Sequence, residues 1–230
     1  MRRIPEHRFD ELIDGATEVF IERGYRRTQM ADVADAIGVA KGTLYGYVES
    51  KQALFALCLR WASRSGPVER PAVLPFPTPP TGQLSQRLKQ NLAEASVPAR
   101  LAAALERERA ENPREELEEV LRDLYRLNEE NRRSIKLLDR CHDHPELQGL
   151  WQTAGREGSR LAVRHYLELR VAAGQLRALP NLQLAARQVI ETIATWAVHI
   201  YWDRAPEVFD PDEARDTAID FLMRALLPLG

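Results

Sequence analysis

Apolar side chains recur at intervals of three and four residues through most of the chain, the spacing that places them on one face of an α-helix. The first such stripe predicts a helix over residues 9–23 and consists of Phe9, Leu12, Ile13, Ala16 and Phe20. Gly24 is suited to end this helix, and Thr28 is placed to act as the N-cap of the next. Shorter stripes predict helices over 30–37 and 40–47, and Ser50 is expected to cap a fourth helix that reaches to about residue 64.

A proline-rich run interrupts this pattern at residues 66–82. Its prolines are Pro67, Pro71, Pro75, Pro77, Pro79 and Pro80. Because proline cannot continue a helix, the run predicts a loop or an extended link, and a link of this length is more often mobile than packed. We therefore expect one domain over 1–65, a linker over 66–82 and a second domain over 83–230. A ligand for a proline-recognising domain is the alternative.

The rest of the chain predicts helices and no strand. The expected ranges are 83–95, 99–110, 114–140, 146–173, 181–202 and 212–227. Prolines precede or open most of them, where the missing amide proton costs nothing. The predicted fold class is all-α, with an N-terminal three-helix domain and a C-terminal helical domain.

The most informative segment is GVAKGTLYGYVESKQALF, residues 38–55. A short helix, a turn at Gly38 and a second short helix make a helix-turn-helix, whose second helix enters the major groove of DNA. Gly38 suits the turn because a positive φ is cheap only for glycine.

Residues 9–64 resemble the DNA-binding domain of the tetracycline-repressor (TetR) family. The matching residues are Gly24-Tyr25, Thr28, Val33-Ala34, Gly38-Val39, Lys41-Gly42-Thr43-Leu44-Tyr45, Tyr47 and Ser50-Lys51. So many fixed spacings are a stronger signal than a single short motif. The resemblance implies a DNA-binding homodimer whose C-terminal domain holds a small-molecule pocket.

The resemblance also implies a set of DNA-binding residues: Thr28, Gln29, Lys41, Gly42, Thr43, Tyr45, Tyr47 and Lys51. Lys41 and Thr43 are expected at base edges, where lysine can donate to guanine and the threonine methyl can pack on thymine. Tyr45, Tyr47 and Lys51 are expected at phosphates, which fix the register on the duplex. The alternative for the two tyrosines is that they only cover the domain surface.

Three positions depart from the family pattern. Ala40 stands where a capping Ser or Thr is common, which forgoes a bond of about 1 kcal/mol. Gly46 replaces a larger residue and costs the helix about 1 kcal/mol against alanine. Val48 replaces a common phenylalanine and thins the local core. We expect a softer recognition helix.

Charge and composition qualify this interpretation. The net charge is −2, so we expect weak non-specific DNA binding, because phosphate contacts supply that part of the affinity. No apolar run is long enough to span a membrane, and the N-terminus has no secretory signal. The two cysteines, Cys58 and Cys141, indicate no disulfide framework. A cytoplasmic protein without a membrane partner is the simplest expectation.

Residues 181–202 are apolar on more than one face, which requires burial on both sides. The resemblance implies that this helix, together with 146–173, forms a four-helix interface between two subunits. We expect Val189 to face the partner. The alternative is a central core helix in a monomer.

Candidate ligand-binding residues are Trp61, Leu121, Tyr125 and Trp196, with Arg122 or His199 as a polar anchor. The alternative is ordinary core. Cys141, His142 and His144 lack a second ligand pair, so we predict no metal site and interpret them as a polar helix end.

We find no catalytic constellation and predict no cofactor. The expected function is a repressor released from a palindromic double-stranded DNA operator by a small-molecule effector. The alternatives are a helical ligand-binding protein or enzyme, or a DNA-binding regulator without a small-molecule inducer.

Overall fold

The computed structural model describes residues 6–62, 70–95, 97–147, 149–151, 153, 157–205 and 207–228. Its α-helices are α1 (Glu6–Arg23), α2 (Met30–Ala36), α3 (Lys41–Tyr45), α4 (Lys51–Ala62), α5 (Gln83–Ala95), α6 (Ala99–Leu105), α7 (Pro113–Glu130), α8 (Arg132–Arg140), α9 (Glu157–Ala172), α10 (Leu182–Ala197) and α11 (Pro211–Leu226). Extended pairing in these residues is limited to an isolated parallel bridge between Val48 and Phe76. The all-α prediction is confirmed. None of the described helices is long and apolar enough to cross a bilayer.

The chain divides into two compact units. The first comprises Met1–Gln90 with Arg133–Trp151, and the second comprises Asn91–Arg132 with Gln152–Gly230. This division differs from the boundary expected at the proline-rich run, because α8 and the turns that follow it return to the first unit. Arg133 shows the reason: its guanidinium contacts Asp14 at 2.6 Å and Glu18 at 3.2 Å on α1.

The first unit is built around the packing of α1 on α4. The whole predicted α1 stripe is buried, at 3% exposure or less. Aromatic rings join the two helices: Phe20 meets Phe55 at 5.1 Å between centroids, and Phe9 meets Trp61 at 5.3 Å. Pairs of this geometry add to the stabilisation that apolar burial provides.

The second unit packs α7, α9 and α10 together and encloses a charged residue. Arg170 is fully buried, and its Nε donates to Glu116 at 2.7 Å. Its other nitrogens donate to the carbonyls of Ala104 and Arg107 at 2.7 and 2.8 Å. A buried guanidinium is tolerated because these charge-assisted bonds satisfy it.

Several helix bounds differ from those predicted. Residues 114–140 form two helices divided at Asn131, whose side-chain amide donates to the Leu127 carbonyl. Of the helix expected over 146–173, the continuous described part is α9, Glu157–Ala172, and the helix expected to reach 202 ends at 197, before a 3₁₀ turn at His199–Trp202. Periodicity reports apolar spacing, so it misses the breaks at Asn131 and Val198, which no glycine or proline marks.

The described part of the proline-rich run is an extended segment, as expected, and it is hydrogen-bonded to the rest of the first unit. The Phe76 amide donates to the Tyr47 carbonyl at 2.7 Å, and the Phe76 carbonyl accepts from the Glu49 amide at 3.0 Å. Arg70 pairs with Asp10 on α1 at 2.9 Å. Residues 66–69 of the expected link lie outside the described residues.

Candidate nucleic-acid interface

The helix-turn-helix is formed by α2, the turn at Gly38 and α3. Gly38 has φ +65°, as its place in the turn predicted, and the Val39 amide donates to the Ala34 carbonyl at 2.9 Å. The buried face of α2 is Met30, Val33 and Ala34. On α3 only Leu44 is buried, so the other side chains of this five-residue helix lie on its outer side.

The outer side of α3 carries four predicted DNA-binding residues. Lys41, Gly42, Thr43 and Tyr45 are all exposed, Tyr45 by 42%. Side chains at the start of such a helix are those that reach base edges. The structure therefore leaves these residues accessible, and their contact with DNA stays a prediction.

Tyr47 does not lie on this surface. It is only 6% exposed, and its ring centroid is 6.1 Å from that of Phe9 in the core. The expectation that its side chain points outward is wrong, because α3 ends at Tyr45 and the chain turns inward after Gly46. The same turn buries Val48 completely.

The Lys51 ammonium binds backbone carbonyls of its own chain. It donates to Tyr25 O and Thr28 O at 3.0 Å each, lies 3.4 Å from Arg26 O, and sits 4.5 Å from the centroid of the Tyr25 ring. Partial burial lowers the pKa of this ammonium, although nearby Asp143 opposes the change. Lys51 thus holds the connection between α1 and α2, a role that the predicted phosphate contact did not anticipate.

The start of α2 also differs from the prediction, because Gln29 rather than Thr28 is its N-cap. Thr28 is 1% exposed, and its hydroxyl donates to the Gly24 carbonyl at 2.7 Å. The Gln29 amide donates to Asp32 at 2.8 Å. That bond is the larger cause that holds the pKa of the Asp32 carboxyl below its usual value, and the Arg23 guanidinium at 2.7 Å is a smaller one. Gln29 itself remains exposed.

A long-range anchor that the sequence did not reveal supports this connection. Asp143 accepts from the amides of Tyr25 at 3.2 Å and Arg26 at 2.9 Å, 117 or more residues away in the chain. The Arg140 guanidinium donates to the carbonyls of Ile21 and Glu22 at 2.8 and 2.9 Å. The Arg140 bonds satisfy carbonyls that the end of α1 leaves without helical partners, and the Asp143 bonds fix the residues that follow it.

His144 is buried in the same region instead of forming a polar helix end. It is 2% exposed, with its ring centroid 4.2 Å from Tyr25 and 5.0 Å from Phe55. Its Nδ1 accepts from the Glu146 amide, and burial lowers its pKa to about 4. His142 does lie at the helix end, with Nδ1 2.9 Å from the Asp139 carbonyl. Within the described residues, no three Cys, His, Asp or Glu side chains are grouped to hold a metal.

The four candidate ligand-binding residues fall in different units. Trp61 belongs to the core of the first, where it packs on Phe9. Leu121 and Tyr125 are buried in the second, and Trp196 makes an edge contact with Phe209 at 6.0 Å. A cavity of about 220 Å³ in the first unit is lined by α1, the end of α2 and Tyr47, and by none of the four. Their role as an effector pocket stays a prediction.

Both parts of the chain match known protein families. Residues 12–58 match the bacterial regulatory proteins of the tetR family. Residues 137–225 match the C-terminal domain of the AefR-like transcriptional repressors. The chain belongs to the TetR family. The family resemblance inferred from the helix-turn-helix residues is thereby confirmed, and it extends to the C-terminal helices.

Curated relatives match this chain over short segments of about fifty residues. The HTH-type transcriptional repressor KstR2 of Rhodococcus jostii (strain RHA1) is 44% identical over 50 residues, which are 22% of this chain and 24% of the relative. The fatty acid metabolism regulator protein of Bacillus subtilis (strain 168) is 40% identical over 45 residues, 20% of this chain and 23% of that protein. The chain therefore matches about a quarter of the length of these relatives.

Solved TetR-family structures share the fold over nearly the whole chain. The ketosteroid transcriptional regulator KstR2 of Mycobacterium tuberculosis has a TM-score of 0.58 at 16% identity, covering 99% of this chain and 98% of that one. SCO3833 of Streptomyces coelicolor A3 has a TM-score of 0.55 at 23% identity, covering 97% and 90%. At such identities the likeness concerns the fold alone.

Proposed function

We propose that this TetR-family protein is a DNA-binding transcriptional regulator, acting in the cytoplasm as a repressor on a palindromic operator. The observation that carries the proposal is the exposed outer side of α3, with Lys41, Thr43 and Tyr45 accessible above a buried Leu44. Support comes from the match of residues 12–58 to the bacterial regulatory proteins of the tetR family, and from relatives named as a transcriptional repressor and a metabolism regulator. A regulator rather than an enzyme is the function that these features favour.

Selection of bound DNA from a random pool tests the proposal. Lys41→Ala is expected to relax specificity at one position in each half-site and to cost about 1–3 kcal/mol of binding free energy. Lys89→Ala is the matched control, because Lys89 is exposed on α5. An unenriched pool, or equal losses in the two variants, would contradict the direct reading of bases by Lys41.

Lys51→Ala is expected to weaken binding to all sequences alike. Its ammonium holds the backbone carbonyls between α1 and α2, so its loss loosens the connection that precedes the helix-turn-helix. We therefore expect a lower melting temperature together with the weaker binding. Unchanged stability with weaker binding would instead support the phosphate contact that the family resemblance implies.

A homodimer is part of the proposal, because a recognition helix of five residues reads too few bases alone. Val189 cannot test the interface, since it is 2% exposed and belongs to the subunit core. The exposed apolar side chains Leu184 on α10 and Phe221 on α11, at 58% and 66%, are better targets. Leu184→Glu or Phe221→Glu is expected to produce monomers that lose operator binding, while Lys89→Glu is the control. A wild type that sediments as a monomer at micromolar concentration contradicts the dimer.

Release by a small molecule completes the proposal. The curated relatives match only 22% and 20% of this chain, so their names carry no ligand class to it. Thermal-shift screening should find a compound that raises the melting temperature and lowers operator affinity, since it binds one folded state preferentially. Its effect should weaken in Tyr125→Phe or Trp196→Leu while operator binding survives. A compound that binds without changing operator affinity would favour the alternative, a helical ligand-binding protein or enzyme.

A further inference from the structure

The proline-rich residues 70–82, here called the strap, run along the chain segment that leaves the recognition helix. The Phe76 amide donates to the Tyr47 carbonyl at 2.7 Å, and the Phe76 carbonyl accepts from the Glu49 amide at 3.0 Å. Between them, Val48 and Phe76 form the parallel bridge. The strap therefore binds the backbone within two to four residues of the end of α3 at Tyr45.

Side chains extend this attachment to the start of α4. The hydroxyls of Ser50 and Thr78 lie 2.7 Å apart, and the Glu49 carboxylate accepts from the Thr78 amide at 2.9 Å. Ser50 is also the cap of α4, where its hydroxyl accepts from the Ala53 amide at 3.1 Å. Near the other end of the strap, Arg70 pairs with Asp10 on α1 at 2.9 Å. The strap is thus fastened to α1 and to the connection between α3 and α4.

The recognition helix has little stability of its own. It has five residues, its N-cap Ala40 makes no side-chain bond, and glycine occupies both position 42 and the C-cap at 46. Each glycine lowers helix stability, and a helix of this length depends on tertiary contacts. The two backbone hydrogen bonds between the strap and residues 47 and 49 lie just beyond Gly46. They restrain the C-terminal end of α3, which the sequence of α3 itself stabilises only weakly.

We propose that the strap is a positioning element of the DNA-reading surface. It holds residues 47–50 in one conformation, which sets the orientation of the exposed side chains of α3 relative to α4. Its effect on DNA is discrimination between sequences, since base edges are read only when the helix is held in register. This inference rests on the proposed function.

Phe76→Pro tests the strap, because proline has no amide hydrogen to donate to the Tyr47 carbonyl. Hydrogen exchange, measured without DNA, is expected to become about tenfold faster at the Val48 and Glu49 amides, the scale of one lost hydrogen bond. Phe76→Leu keeps the amide and should restore slow exchange. Val73→Pro is the matched control, because Val73 lies in the strap but is 69% exposed.

The DNA measurement uses the ratio of affinities for the selected operator and a scrambled duplex. Phe76→Pro is expected to lower this ratio about tenfold while the salt dependence of binding, which reports phosphate contacts, stays as in wild type. Thr78→Val, which removes only the hydroxyl bonded to Ser50, should lower the ratio in the same direction with less effect on folding.

Unchanged exchange in Phe76→Pro relative to Val73→Pro overturns the proposal. So does faster exchange with an undiminished affinity ratio. A wild type that selects no DNA sequence overturns the proposed function, and this proposal with it. The exchange data distinguish that failure from a failure of the strap, because they are measured without DNA and report only whether the strap restrains residues 48 and 49.

Discussion

The buried imidazole of His144 predicts how the stability of the first unit depends on pH. Its ring lies against Tyr25 and Phe55, and burial lowers its pKa from 6.5 to about 4. The carboxylates of Glu146 and Asp143 favour the protonated ring, and Lys51 disfavours it. Burial outweighs both carboxylates, so the folded protein holds His144 neutral near neutral pH.

The sign of the effect follows from proton binding. Below pH 6.5 the unfolded chain protonates this histidine, whereas the folded chain does so only near pH 4. The unfolded state therefore binds more protons between these values, and the free energy of unfolding falls as the pH falls through that window. With these two pKa values, the loss between pH 8 and pH 5 is about 2 kcal/mol.

Urea unfolding at pH 8 and pH 5 measures this loss. His144→Phe keeps an aromatic ring between Tyr25 and Phe55 but cannot titrate, so wild type should lose about 2 kcal/mol more than the variant between the two pH values. His165→Gln is the control, because His165 is exposed on α9. An equal loss in wild type and His144→Phe, or an NMR titration of the His144 ring with a midpoint near 6.5, would refute the reasoning.

Three further predictions follow from single positions. Burial raises the pKa of the Cys58 thiol to about 12, so alkylation at pH 8 should be slow until denaturant is added, and fast labelling of the native protein would contradict this. Gly24→Ala should lower the melting temperature, because residue 24 has φ +78° and the new Cβ would lie 3.1 Å from the Arg140 carbonyl. Gly82→Ala is the control: its φ of +85° gives the same backbone strain, but its new Cβ would meet open space, so a larger loss at residue 24 measures the close contact. Asp210→Ala should cost about 1 kcal/mol, because this N-cap accepts from the amides of Asp212 and Glu213; a change below 0.3 kcal/mol, read from urea midpoints, would contradict the capping role.

Local features of the sequence determined the helices of residues 6–62, which include the helix-turn-helix. The α1 stripe is buried as predicted, Gly24 and Gly38 have positive φ, and Ser50 caps α4. These features depend on residues within one or two helical turns, so their spacing in the chain reports them directly. The exposure of Lys41 and Tyr45 on α3 follows from the same periodicity.

Tertiary structure decided the rest of the candidate site. Lys51 and Thr28 carry polar groups suited to phosphate, yet their nearest partners are backbone carbonyls of the same chain. The Asp143 anchor joins positions 117 or more residues apart, and the strap pairs Phe76 with residues that precede it by nearly thirty. Composition correctly indicated that the described residues 70–82 of the proline-rich run would not be helical, but it could not indicate what they bind. Backbone groups on any segment can accept or donate a hydrogen bond, so their long-range pairing leaves no pattern in the amino-acid sequence.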